Sequence, residues 1–401
     1  MKFIAYLICY CIYPFSFLFP RNRKKWAFGS FRGAFNDNAK YLFVHASEHL
    51  PEIKCAWLSI SKATVKDIKA NGLMAYYILS PKGIWHALTS KYWFFNAYSS
   101  DIMFCLSGNA KLVNLWHGLP MKRIEFEITS GPLADRYKKK TLKERYFHPE
   151  SFHRPDFVMS STPFFSDIFS RSFRIPEQHC LELGYPRNEI LLFSEQERTD
   201  YINKYEPVLT KTLVDDIVKG TYQHVFIYMP TWRDSQRDVF VQSFDLNRLD
   251  GILKANNSLL LLKPHANTRV DTSDIKNYQN IIFLDSGTDV YPILPYTDVL
   301  ITDYSSILYD YILMENHDVI LYLYDYDDYL KDRELFYPFD ENVVGKRAMN
   351  FDELCQCIRQ GNFKIDEAQR KMIVEKFWGE TMKHSPCEKI ASCFLSTAAS
   401  K

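Results

Sequence analysis

The run Val299-Leu300-Ile301-Thr302-Asp303-Tyr304-Ser305-Ser306, followed by Ile307-Leu308-Tyr309-Asp310-Tyr311, carries the strongest chemical signal in this chain. Apolar residues end at Thr302, a hydroxyl- and carboxylate-rich turn follows, and apolar residues then recur at helical spacing. The pattern predicts a strand feeding a helix N-terminus. Unpaired N–H groups and a partial positive charge at such an end form a seat for a phosphate. Thr302, Asp303, Ser305 and Ser306 would surround it. Asp310 lies four residues beyond Ser306, on the same helix face. It either binds ribose or donor hydroxyls or remains a surface carboxylate.

Two imidazole-bearing turns lie upstream. Trp116-His117-Gly118 follows the apolar run 111–115, and Gly and Pro beside it make a sharp turn. His117 is either a general base, with a pKa near working pH, or a structural histidine bonded to backbone. Lys122 and Arg123 follow within one turn and suit an anionic acceptor. Lys263-Pro264-His265 ends another apolar run, and a cation and an imidazole at that spacing suit a pyrophosphate and its leaving nucleotide. Arg233, in Pro230-Thr231-Trp232-Arg233-Asp234, either offsets a diphosphate or pairs with Asp234. Arg187, in Gly184-Tyr185-Pro186-Arg187-Asn188, either forks onto a phosphate or locks its own turn onto a carboxylate. The acidic stretch with Asp325, Asp327 and Asp328 lacks the glycine and terminal glutamate of a calcium loop. No metal and no cofactor are expected.

The elements that would position these residues come from the rest of the chain. With 401 residues, 47% hydrophobic and 24% charged, it is globular in composition. The formal net charge of +1 provides no field for nucleic acid. Nine scattered cysteines read as buried thiols. Short apolar runs at 56–60, 75–79, 92–95, 111–115 and 157–160 alternate with helical patterns, and a second series follows at 224–229, 258–262, 280–284, 298–302 and 319–324. Alternation of this kind predicts α/β architecture with parallel sheets, and the polar residues fall where such sheets bind ligands. A helix opens at Asn36-Asp37-Asn38, the charged stretch 134–144 reads as an exposed helix, and the polar stretch 194–206 reads as a linker. Residues 26–203 and 204–401 are the two expected domains.

Phe3 to Pro20 holds eighteen uncharged residues, broken by Pro14 and followed by Arg21, Arg23, Lys24 and Lys25. A helix of that length is about 27 Å long, marginal for a span. Residues 1–25 are therefore expected to anchor the chain at an anionic membrane surface.

Taken in order, Asn38-Ala39-Lys40-Tyr41-Leu42, Trp116-His117-Gly118, Gly184-Tyr185-Pro186-Arg187-Asn188, Pro230-Thr231-Trp232-Arg233, Lys263-Pro264-His265, Ile301-Thr302-Asp303-Tyr304-Ser305-Ser306 and the tail Tyr324-Asp325…Tyr329…Asp332-Arg333 resemble the CDP-glycerol glycerophosphotransferase family, the teichoic acid primases and polymerases. The resemblance spans residues 26–345. It implies a GT-B-like fold, two Rossmann-like domains with a cleft between them, the second binding the CDP donor. It also implies transfer of glycerol phosphate from CDP-glycerol to a lipid-linked wall or capsular polymer at the cytoplasmic membrane face, releasing CMP. On that reading His117 is the base, and His265 and the Asp-Tyr-Ser-Ser turn hold the diphosphate. Departures at Leu119-Pro120-Met121-Lys122 and His384-Ser385-Pro386-Cys387 bear on the acceptor and the polyol. A CDP-ribitol donor, a nucleotide-sugar glycosyltransferase and a non-catalytic adaptor are the alternatives.

Overall fold

A computed structural model describes residues 2–131, 133–138, 141–231, 245–263, 278–327, 329 and 334–399. The chain forms two compact units. The first comprises residues 1–119, 123–189 and 377–401, and the second comprises 120–122 and 190–376. This division differs from the expected boundary at 203/204. The polar stretch read as a linker is the helix Glu195–Tyr205, opened by a Ser194/Glu197 capping box. Its outer face is polar, and Ile202 and Tyr205 turn inward. Composition alone cannot tell such a surface helix from a linker.

The first unit holds seven parallel strands: β1 (Asn22–Phe28), β2 (Lys54–Ser59), β3 (Ala75–Tyr77), β4 (Ser90–Phe95), β5 (Lys111–Asn114), β6 (Phe157–Ser160) and β7 (Cys180–Glu182). Their spatial order is β3-β2-β1-β4-β5-β6-β7. Strand order reverses between β1 and β4, the point at which open α/β sheets bind ligands. β7 was not predicted; its three residues are too few to show a period. Large rings fill the core. Phe28 stacks on Phe94 at 5.0 Å, and Phe394 of the C-terminal helix Pro386–Ala399 meets Phe94 edge-on at 5.3 Å.

The N-terminal helix Lys2–Ser16 packs on this unit. Tyr13 stacks on Phe104 at 4.8 Å, and the Tyr10 hydroxyl donates to the Arg145 carbonyl at 2.8 Å. Among the described residues no helix is long and apolar enough to cross a membrane. The basic cluster is partly committed to the fold. The Arg21 guanidinium donates to the carbonyls of Ala87, Ser90, Leu106 and Gly108, and burial lowers its pKa to about 10. Lys25 lies in β1 and donates to Thr89 Oγ1 at 3.0 Å. The charged stretch 134–144 contains two short helices, Ala134–Lys138 and Leu142–Phe147.

The second unit holds six parallel strands: β8 (His224–Met229), β9 (Ser258–Leu262), β10 (Ile281–Phe283), β11 (Val299–Thr302), β12 (Asp318–Tyr322) and β13 (Lys346–Ala348). Their order, β10-β9-β8-β11-β12-β13, repeats the Rossmann pattern, with the reversal between β8 and β11. Its core is mostly aliphatic, with Leu260, Leu262, Ile301 and Ile320 alongside Leu249, Leu253 and Leu354 of the covering helices, and Phe226, Tyr228, Tyr322 and Phe363 are buried in the same cluster.

Candidate active site

In the first unit, His117 stands just past the end of β5. Its Nδ1 lies 3.2 Å from the Asn96 carbonyl oxygen. A carbonyl only accepts, so Nδ1 carries the hydrogen and Nε2 the lone pair of the neutral ring. The residue presents surface to solvent, yet enough protein surrounds the ring for desolvation to lower its pKa below the usual value. Asp37 and the Asn96 carbonyl oppose that shift, and Arg187 adds to it. A neutral imidazole with a lone pair on Nε2 can accept a proton.

Asn96 directly follows β4, beside the reversal point. It is buried and all its polar groups are engaged. Oδ1 accepts from Ala39 N at 2.9 Å, Nδ2 donates to Ser30 Oγ at 2.8 Å, and its backbone N donates to Asp101 Oδ2 at 3.2 Å. Asp101 Oδ2 also accepts from Ala97 N at 2.9 Å. Burial raises the Asp101 carboxyl to about 7 against those backbone donors. Sequence reasoning passed over Asn96 and Asp101. A polar residue closing the aromatic strand 92–95 was the available signal.

Arg187 takes the locking role of its two expected roles. Its side chain is 6% exposed and its Nη1 meets Asp37 Oδ1 at 2.8 Å. Arg123 is exposed in the first unit. Lys122 belongs to the second unit, with Nζ 5.2 Å from the Tyr329 ring centroid.

In the second unit, the chain ends of β8 and β11 are tied together at the reversal point. Thr231 N donates to Asp303 Oδ1 at 2.9 Å and Oδ2 at 3.1 Å, and its hydroxyl also donates to Oδ1. Thr302 Oγ1 donates to the Met229 carbonyl at 2.8 Å. Tyr304 is buried and stacks on Tyr329 at 3.6 Å, so the aromatic tail motif braces this turn. Asp303 and Asp310 are both fully buried, and Asp310 accepts from the Tyr291 hydroxyl. Both carboxylates therefore hold the fold of the turn. Ser305 and Ser306 remain partly exposed. The helix that follows, Ile307–Tyr311, is only five residues long. Its dipole is correspondingly small, and hydroxyls and local N–H groups supply most of what the turn can offer an anion.

Lys263 directly follows β9, and its Nζ donates to the Ser286 carbonyl at 3.0 Å. Burial lowers its pKa and Asp289 opposes the shift. Arg233, His265, Asp328, Asp332 and Arg333 lie outside the described residues.

One trio among the described residues has metal-ligand chemistry: His45, Glu189 and Cys387, whose ligand atoms lie within 4.8 Å of one another. Glu189 accepts from Ser385 Oγ at 2.8 Å and Cys387 N at 3.2 Å. Burial and the Glu189 carboxylate keep the thiol protonated. As folded, Glu189 of this trio caps the start of the C-terminal helix.

Residues 11–380 match the model of the CDP-glycerol:poly(glycerophosphate) glycerophosphotransferase family. The chain belongs to this family. A teichoic acid glycerol-phosphate transferase of Staphylococcus aureus is 27% identical over 370 residues, covering 88% of this chain and 86% of the relative. A teichoic acid poly(glycerol phosphate) polymerase of Bacillus spizizenii is 27% identical over 367 residues, covering 87% of each. Another such polymerase, from Staphylococcus epidermidis, is matched over 42% of its length. Among solved structures, the wall teichoic acid polymerase TagF, soaked with CDPG, superposes with a TM-score of 0.73 at 23% identity, over 94% of this chain and 90% of that one. That likeness establishes the α/β fold with two parallel sheets.

Proposed function

We propose that this family member transfers glycerol phosphate from CDP-glycerol to a hydroxyl of a membrane-linked, teichoic-acid-like acceptor and releases CMP. The observation that carries the reading is His117, with its Nδ1 hydrogen committed to the Asn96 carbonyl and its Nε2 available as a base. His117 Nε2 takes the proton of the acceptor hydroxyl. The acceptor oxygen bonds to the β-phosphorus of CDP-glycerol. The bond from that phosphorus to the bridging oxygen breaks, and CMP leaves with the electron pair. The glycerol phosphate ends on the acceptor and the proton on His117.

The Ser305 and Ser306 hydroxyls and the N–H groups of their turn bind the donor diphosphate, with Lys263 adding positive charge. Arg233 and His265 act on the same diphosphate by motif position. Thr302, Asp303 and Asp310 shape this donor turn from within. Lys122 and Arg123 meet the anionic acceptor.

The N-terminal segment supports a membrane-surface location. Ile4, Leu7, Ile8, Phe15 and Leu18 are exposed, Leu18 by 76%, as is Leu142 on a helix beside it. An exposed apolar strip of this kind fits an interfacial helix that lies on the bilayer without crossing it.

The test is CMP release from CDP-glycerol by purified protein with a lipid-linked glycerol-phosphate acceptor, for wild type and His117→Ala. Acceptor-dependent release that collapses in the variant supports the assignment. Release from CDP-ribitol alone would replace the polyol, and silence with both donors would overturn the transferase reading.

A further inference from the structure

Trp116, the residue before His117, has φ of +54°. A bulky aromatic side chain rarely adopts left-handed backbone, and such a residue persists only where its surroundings hold it. Here both polar groups of its backbone are held by asparagine side chains. The Trp116 N–H donates to Asn114 Oδ1 at 2.8 Å, and the Trp116 carbonyl accepts from Asn38 Nδ2 at 2.9 Å.

Each asparagine is fixed in turn. Asn114 Nδ2 donates to the Ala97 carbonyl at 2.9 Å, and Asn38 Oδ1 accepts from Arg187 N at 3.1 Å. Both are buried, Asn38 completely. Asn38 also touches the Leu115 carbonyl at 3.4 Å, and Gly118 continues the turn at φ of +137°.

We propose that Asn38 and Asn114 form a clamp that holds the strained Trp116 peptide and thereby sets where the His117 ring stands and which nitrogen bears its hydrogen. They are positioning residues, acting through Trp116 on a base they do not touch. The two features occur together: with Trp116 left-handed, His117 Nδ1 stands 3.2 Å from the Asn96 carbonyl, and a change of φ at Trp116 redirects the chain that carries the ring. An asparagine at each end is suited to the task, since its amide presents a donor and an acceptor on one planar group. Asn114 uses its oxygen on Trp116, and Asn38 uses its nitrogen. The proposal rests on His117 being the base, and its test separates the two ideas.

The experiment measures kcat and KM for CDP-glycerol, and the 15N shifts of the His117 ring against pH, in Asn38→Ala, Asn114→Ala and His117→Ala. Thermal melting confirms that each is folded. The clamp predicts a kcat reduced about 10- to 100-fold in the Asn38 and Asn114 variants, the cost of a small misplacement of a reacting group. It predicts KM within two-fold of wild type, and His117 15N shifts that move toward a mixture of tautomers. Asn38→Asp, which is isosteric but lacks the donor, should behave as Asn38→Ala does. Wild-type kcat and ring shifts in folded Asn38→Ala would overturn the clamp even where His117→Ala is inactive. Should Asn38→Ala fail to fold, Asn114→Ala decides by the same criteria. Full turnover in His117→Ala would instead remove the base assignment, and the proposal with it.

Discussion

At the scale of single residues, the electrostatics lead to two measurements. Desolvation lowers the pKa of His117, so its neutral, proton-accepting form extends to lower pH than for a free imidazole. The acid limb of kcat/KM is therefore expected below pH 6.5, the ordinary histidine value. A limb above that value would contradict the assignment of His117 as base.

Glu125 responds in the opposite sense. It is buried, and burial lifts its pKa to about 7 although the Tyr98 and Tyr137 hydroxyls donate to it at 2.6 and 3.1 Å. Its folded pKa exceeds its unfolded one, so the folded state holds a proton that the unfolded state releases. Stability is lost as pH rises through the window between the ordinary carboxylate value and about 7. Glu125→Gln should remove that slope and raise stability at pH 8 by roughly 3 kcal/mol at most. Urea unfolding of both proteins at pH 5 and pH 8 measures it.

At the scale of elements, the ties between chain segments matter more than the segments. Arg187–Asp37 joins the turn after β7 to the start of the helix Asp37–His49, and the guanidinium is almost wholly buried. Arg187→Ala leaves Asp37 without its ion pair and should cost roughly 2–4 kcal/mol in denaturant unfolding. Lysine, which lacks the fork, should restore only part of it. In the second unit, Thr231→Val removes one of the donors on the buried Asp303 while keeping its backbone N–H. A loss of about 1–2 kcal/mol is expected, together with a raised KM for CDP-glycerol, because the donor turn rests on that carboxylate. An unchanged KM would separate the turn from donor binding.

For the whole molecule, the N-terminal segment bears on localisation. Gly108 anchors it: its N–H donates to Ser16 Oγ at 3.0 Å, and its carbonyl accepts from Arg21 Nε at 2.8 Å. A Cβ at Gly108 would lie 2.4 Å from Ser16 Oγ and 2.8 Å from the Phe17 nitrogen. Gly108→Ala is expected to loosen this segment, read as faster proteolysis between residues 16 and 21. Charging the exposed strip with Leu7→Glu and Leu18→Glu, which removes apolar area and adds repulsion from anionic lipid, should reduce co-sedimentation with anionic vesicles without lowering the melting temperature. Equal binding by the charged variant would place the membrane contact elsewhere.

Most strands, and the motifs that end them, could be read directly from the sequence. An apolar run of four to six residues closed by Gly, Pro, Ser or Asp is a local signal, and parallel strands buried on both faces make it strong. The family pattern is of the same kind, because its motifs are short and ordered along the chain. Local signals also brought out Thr302, Asp303, Ser305, Ser306 and His117 as polar residues at strand ends. Only the tertiary structure decided which of them face inward. Asp303 and Asp310 look like ligand residues in sequence, yet each is buried against a partner distant in sequence, Thr231 or Tyr291. Arg187 has two possible partners in sequence and one in the fold, Asp37, and Arg21, one of the basic residues read as facing lipid, is surrounded by four carbonyls. Asn96, Asn114 and Asp101 gave at most a weak sequence signal, because an amide or carboxylate at or near a strand end is common. Their importance comes from long-range hydrogen bonds, and a pattern read along one chain carries no information about which distant backbone group will need a partner.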